Sequence, residues 1–149
     1  MGLDPDRADR QTEGASLKKG QVMHIFNVRV YYEDTDMAGI VYHANYLKFI
    51  ERARSDWVKD QGLDQNAMRE EGIVFVVRRI EADYLAPAKY DDVLEVRTVT
   101  KSMTGVRLIM SQEVLRGEEV LFRAEVTAVC ATLDGHPVRL PARLRRQVH

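Results

Sequence analysis

Residues 30–54, VYYEDTDMAGIVYHANYLKFIERAR, decide how this chain is read. The segment opens as a strand, turns through an acidic loop that carries Gly39, and runs into a helix. From Tyr46 the apolar residues Tyr46, Phe49, Ile50, Ala53 and Trp57 recur at intervals of three and four, which lines one helical face. Lys48, Arg52, Asp56 and Lys59 take the opposite side. Asn45 is a residue type that caps helices, and Gly62 stands where a helix running to about Gln61 would end. Just before the helix, Tyr32, Glu33, Asp34, Asp36 and His43 crowd groups able to move protons or donate hydrogen bonds. A packed core has no use for that chemistry. A site does.

The flanks supply the sheet. His24 to Tyr32 reads as a first strand, with Ile25, Val28 and Val30 punctuating it. Asp64 to Glu71 predicts a short second helix that Gly72 breaks. Ile73 to Tyr84, Val93 to Lys101, a strand from Gly105, and Val120 to Leu133 then follow with period two. Their turns fall at residues 86–91, at Arg116-Gly117-Glu118-Glu119 and at Asp134-Gly135. Long strands joined by short hairpins pair antiparallel. The order, one strand, one long helix, then about four strands, predicts an α+β fold in which a sheet apolar on one face wraps the helix.

Composition narrows the function. The 149 residues fit one domain, with 45% hydrophobic and 30% charged residues. A formal charge of −1 offers no basic field for nucleic acid. Residues 1–22 are polar and aperiodic and read as a disordered extension, leaving residues 23–149 as the folded domain. No apolar run approaches the ~20 residues of a membrane span, and no signal-peptide layout opens the chain, so a cytoplasmic protein is expected. The single cysteine, Cys130, lies in an apolar run and reads as a buried hydrophobe. Four scattered histidines without a thiolate pair give no metal constellation, and no cofactor motif is present. Arg139, Arg143, Arg145 and Arg146 cluster near the C-terminus, as a solvated tail or as a contact for an anionic ligand or membrane face.

The run EDTDMAGIVYHANYLKFIERAR, preceded by VYY, closely resembles the signature of hotdog-fold acyl-CoA thioesterases of the 4-hydroxybenzoyl-CoA thioesterase type, and most of all the subgroup associated with the Tol-Pal cell-envelope system. The resemblance spans about Phe26 to Leu133 and includes the Tyr-x-x-Pro-Ala turn at residues 84–88. It implies a five-stranded antiparallel sheet wrapped around a long central helix. It also implies acyl-CoA as substrate, and a homo-oligomer, dimer or dimer of dimers, with active sites at the dimer interface. Asp36 matches the family's catalytic carboxylate, as nucleophile or as general base on water. The backbone N–H at His43 is then expected to polarise the thioester carbonyl at the positive end of the helix, with the imidazole as a further donor. Tyr32 matches a tyrosine implicated in catalysis.

Gly39 serves a tight turn that lets substrate approach the backbone. Val41, Tyr42, Asn45 and Tyr46 are the expected substrate-binding neighbours. Asp34 reads as a turn or supporting carboxylate. Glu51 is the rival to Asp36, because a related hotdog subgroup places its catalytic glutamate on the central helix; an ion pair with a neighbouring arginine is its simpler use. Lys101, Arg107 and the C-terminal arginines are candidates by charge for the CoA phosphates. A second function also fits the fold: a module that binds acyl carrier protein or a cell-envelope complex and hydrolyses little.

Overall fold

The computed structural model describes residues 22–145. The extension expected at residues 1–22 lies outside them except for its last residue, and so does Arg146. Strand β1 (His24–Arg29) leads through a 3-10 turn (Tyr32–Asp34) and a loop to helix α1 (Asn45–Asp60) and the short α2 (Gln65–Glu70). Strands β2 (Ile73–Tyr84), β3 (Val93–Met103), β4 (Arg107–Arg116) and β5 (Glu119–Thr132) follow, and α3 (Ala142–Arg145) ends the described chain.

The strands form one sheet in the order β1-β3-β4-β5-β2, with every neighbouring pair antiparallel. β2, β3 and β5 begin and end within about two residues of the limits that alternation predicts, and β4 starts at Arg107 rather than Gly105. The last strand pair in sequence is closed by Gly117, whose φ of 60° suits a hairpin turn. β2 is an edge strand whose single partner is β5, in a register that runs from Ile73 opposite Thr132 to Tyr84 opposite Phe122.

Helix α1 packs on one face of this sheet. Its apolar stripe, Tyr46, Phe49, Ile50, Ala53 and Trp57, is buried, as the three-and-four spacing requires. Phe49 and Ile50 pack with Leu94, Val96, Val114 and Phe122 in the main core; burial of each such side chain contributes about 1.5–3 kcal/mol. Toward the other end of the helix, Trp57 and Val58 join Leu108, Met110, Cys130 and Leu144. Cys130 is thus the buried hydrophobe expected, and burial pushes its thiol up. One polar strut crosses the interface: Gln112 Nε2 donates to the Ile50 carbonyl at 2.9 Å and Thr98 Oγ1 at 3.0 Å, while Arg54 donates to Gln112 Oε1 at 3.0 Å. Each buried polar atom of that strut has a partner, which is what makes its burial affordable.

Three local expectations need correction. The first strand stops at Arg29 and Tyr32 lies in the 3-10 turn. Val30 spends its N–H on the Asp92 carbonyl and its C=O on the Asp91 N–H, both at 2.9 Å. The chain then turns because the Asp34 carboxylate takes the Tyr31 N–H at 2.9 Å and the Asp34 N–H reaches the Tyr31 carbonyl at 3.0 Å. Asn45 does not cap α1; it is the first helical residue, the cap position is Ala44, and no side chain caps it. Two of the arginines after β5 are not simply a solvated tail: Arg143 donates to the Gly62 carbonyl at 3.1 Å, which docks α3 on the turn after α1, and Arg145 donates locally to the Leu140 carbonyl at 3.0 Å.

Candidate active site

Residues 34–45 form a closed loop whose two ends are tied to each other. Thr35 and Val41 make an isolated antiparallel bridge. The Asp36 N–H bonds to the Ile40 carbonyl at 2.9 Å, and the Gly39 N–H bonds to the Asp36 carbonyl at 3.0 Å. Gly39 has a φ of 78°, with nothing within 4 Å of the position a Cβ would take. The turn therefore asks for glycine on conformational grounds, and open space lies above it.

Asp36 sits at the head of this turn with an exposed side chain. Its Oδ1 accepts the Ala38 N–H at 2.8 Å, which fixes the carboxylate plane. Met37 beside it is fully exposed.

Asp34, by contrast, is buried, and every one of its polar atoms works to hold the loop. Its Oδ1 accepts from Asn45 Nδ2 at 2.8 Å, its Oδ2 takes the Tyr31 N–H, and its carbonyl accepts the Tyr42 N–H at 2.8 Å. Asp34 is the supporting carboxylate, and Asn45 is its partner. That pairing explains the missing cap: the Asn45 amide is turned to Asp34 instead of to the helix end. Among the described residues the N–H groups of His43 and Ala44 find no acceptor. Those donors, at the positive end of a 16-residue helix, stay available to an incoming oxygen.

The remaining site residues fall into two groups. Tyr42 and His43 are exposed beside the helix start, with ring centroids 4.6 Å apart. Tyr32 is 77% exposed and stacks on Tyr90 at 4.4 Å. Among the described residues no hydrogen bond or ring contact joins its side chain to Asp36 or His43. Val41 and Tyr46 are buried in the core. Tyr46 stacks on Phe122 at 5.0 Å and its hydroxyl accepts the Ala88 N–H at 3.0 Å.

Sequence reasoning missed what the Tyr84-Leu85-Ala86-Pro87-Ala88-Lys89 segment does. Ala88 also accepts the Val41 N–H at 2.9 Å, Lys89 bridges Ile40, and Tyr84 Oη donates to the His43 carbonyl at 2.9 Å. This stretch brackets the loop and the helix start from outside. Its signal was present as the Tyr-x-x-Pro-Ala pattern, yet nothing in that spacing says what it touches.

This geometry can hold a carbonyl oxygen on uncommitted helix N–H groups and present a carboxylate from the adjoining loop. A family model described as the thioesterase-like superfamily matches residues 30–148. The chain belongs to that superfamily. The acyl-CoA thioester hydrolase YbgC of Escherichia coli O6:H1 is 46% identical over 116 residues, covering 76% of this chain and 87% of the relative. The acyl-CoA thioesterase YbgC of Haemophilus influenzae is 39% identical over 126 residues, covering 83% and 93%. Among solved structures, a probable thioesterase from Bartonella henselae superposes with a TM-score of 0.78 at 40% identity, covering 80% of this chain and all of the other. The fold is the hotdog fold of these thioesterases, and the chain is a thioester hydrolase.

In a thioesterase the other charged groups must be weighed too. Glu51 is exposed on α1 and accepts from Ser55 Oγ at 3.1 Å. With Val58, Phe75, Leu108 and Met110 it lines a cavity of about 130 Å³. Lys101, a candidate for the CoA phosphates, is paired with Glu125 at 2.7 Å. Arg107 is exposed.

The fold also gathers a set that the sequence spacing hides: His24 Nε2 lies 2.8 Å from Asp56 Oδ2 and 3.3 Å from Asp60 Oδ2. Three such donors could in principle surround a cation. The fit is poor. A metal on Nε2 would force the ring proton onto Nδ1, which is buried with no partner among the described residues. With the proton on Nε2 the ring instead donates to Asp56 and ties β1 to α1. No helix of the described residues is long and apolar enough to cross a membrane.

Proposed function

We propose that the chain hydrolyses acyl-CoA thioesters to a free carboxylic acid and CoA. The observation that carries this reading is the juxtaposition of the two halves of the site. The Asp36 turn closes, through the Thr35–Val41 bridge, directly onto a helix start whose His43 and Ala44 N–H groups are uncommitted. The acyl-CoA specificity named for the Escherichia coli and Haemophilus influenzae relatives supports it.

In the proposed reaction the thioester oxygen lies on the His43 N–H with the Ala44 N–H beside it, where charge builds as the carbonyl carbon becomes tetrahedral. Asp36 supplies the oxygen attack by one of two routes. As general base it draws a proton from water, and the water oxygen adds to the carbonyl carbon. As nucleophile it forms an aspartyl anhydride that water then cleaves. In both, the C–S bond breaks and the thiolate leaves and takes up a proton. In the first route the acyl carbon gains its new oxygen from water directly. In the second that oxygen comes from water if it adds to the acyl carbon of the anhydride, or from Asp36 if it adds to the aspartyl carbon, the carboxylate being restored either way. The His43 imidazole borders the same site and Tyr42 forms part of its wall, while Tyr32 stands on the neighbouring 3-10 turn, stacked on Tyr90.

A second copy of the chain completes the site in this reading. Among the described residues the edge of β2 not paired with β5 is open for strand pairing, and Met37 and Tyr42 on the loop are exposed. A cytoplasmic setting, where acyl-CoA is made and used, fits this activity. The test is release of free CoA thiol from acyl-CoA substrates of graded chain length and from an aromatic acyl-CoA. Absence of release from every one of them would remove the proposal.

A further inference from the structure

Three consecutive peptide units lead into α1, and each is held by one hydrogen bond. The Tyr42 N–H is held by the Asp34 carbonyl at 2.8 Å. The Tyr42 carbonyl is held by the Asn45 N–H at 2.8 Å. The His43 carbonyl is held by Tyr84 Oη at 2.9 Å. The first two bonds are main chain to main chain and part of the local turn. The third comes from a side chain on the edge strand, 41 residues away in sequence.

We propose that the Tyr84 hydroxyl is a positioning group for thioester polarisation, holding the 43–44 peptide so that the helix N–H groups face the substrate oxygen. The inference rests on the acyl-CoA thioesterase reading above. A trans peptide directs its C=O and N–H to opposite sides, so a hydroxyl that anchors the His43 carbonyl also aims the Ala44 N–H. It limits rotation about ψ of His43, and with it the orientation of that residue between its two peptides. The Tyr84 ring adds an edge contact to the His43 imidazole, with centroids 6.2 Å apart. Tyr84 is itself fixed by edge contacts with Tyr46 and Phe122, at centroid distances of 5.6 and 5.0 Å. Its position is therefore set by the core, although half of its surface is exposed. Donors aimed before the reaction cost no reorganisation when charge develops, so loosening them is felt in the transition state more than in binding.

Tyr84→Phe removes the hydroxyl and keeps the ring contacts. The expected result is a kcat lower by about 10- to 100-fold with KM within about threefold of wild type. The affinity for a non-hydrolysable thioether analogue of the substrate should be unchanged, and so should the shape of the kcat–pH profile. Backbone amide spectra of the full chain should show the Ala44 ¹⁵N resonance displaced, since its peptide carbonyl has lost a donor. Wild-type turnover by Y84F would overturn the proposal, and so would a loss confined to KM. Disappearance of an alkaline limb from the pH profile would also overturn it, because Tyr84 would then be a proton donor. Should Y84F fail to fold, 3-fluorotyrosine at position 84 retains the bond and must preserve kcat; a 10-fold loss there would also overturn it. If wild type releases no CoA from any acyl-CoA, the thioesterase reading has failed first, and that result is distinct from a normal Y84F.

Discussion

Asn45 Nδ2 donates to Asp34 Oδ1 at 2.8 Å, and both side chains are buried. This one bond joins the first residue of α1 to the turn that precedes Asp36. It also removes from the helix end the side chain best suited to cap it, which leaves donors there for a substrate oxygen. Asn45→Ala strands a buried carboxylate oxygen, at a cost of about 1–3 kcal/mol. The Tm should fall by several degrees, and kcat should fall more than KM changes, because the Asp36 loop loses its tie to the helix. Unchanged Tm and kcat in this variant would mean that the loop is held by its backbone bonds alone.

Glu51 offers the rival carboxylate, and one substitution separates the two. It is exposed, bonded to Ser55, and close enough to Arg54 to oppose the lowering that burial imposes on that guanidinium. With Asp36 as the reacting group, Glu51→Gln should retain kcat within about threefold, since only exposed polar contacts change. A loss of about 100-fold or more would transfer the catalytic role to the helix.

Glu113 gives a prediction about pH. It is buried on β4, neither carboxylate oxygen has a hydrogen bond among the described residues, and burial raises its pKa to about 7 against the opposing pull of Arg123 and Arg97. The group ionises near 4.5 when unfolded, so between roughly pH 4.5 and 7 the folded chain binds more protons than the unfolded chain. Stability from this residue is therefore present at low pH and lost as pH rises through that window. Glu113→Gln, neutral and of similar shape, should raise Tm at pH 8 and leave it nearly unchanged at pH 5. A lower Tm at pH 8 would mean that the ionised carboxylate is stabilised by the two arginines after all.

The sheet and helix were legible because their signals are periodic. Val120, Phe122, Ala124, Val126, Ala128 and Cys130 alternate along β5 and are all buried, and the α1 stripe is buried to the last residue. What escaped is set by contacts distant in sequence or by hydrogen bonds that periodicity does not record. Tyr32 looked like a strand residue because aromatic and β-branched neighbours surround it. The Asp34 carboxylate turns the chain one residue earlier, at Tyr31. Asn45 is of the capping type, and only the fold reveals that a buried acid competes for its amide. Arg143 looked solvated until the turn at Gly62 came within reach. Asp36, Gly39 and His43 were legible as a local motif on one loop. Tyr84 was not, since its partner lies across the domain.

Turnover and binding by Asp36→Asn, measured together, reach the centre of the proposed function. The variant keeps an acceptor oxygen for the Ala38 N–H but can neither attack a carbonyl nor take a proton from water. With wild-type affinity for acyl-CoA retained, kcat should fall by about 100-fold or more. Turnover by D36N at the wild-type rate, with substrate bound as tightly, would contradict a role for the loop carboxylate in the reaction.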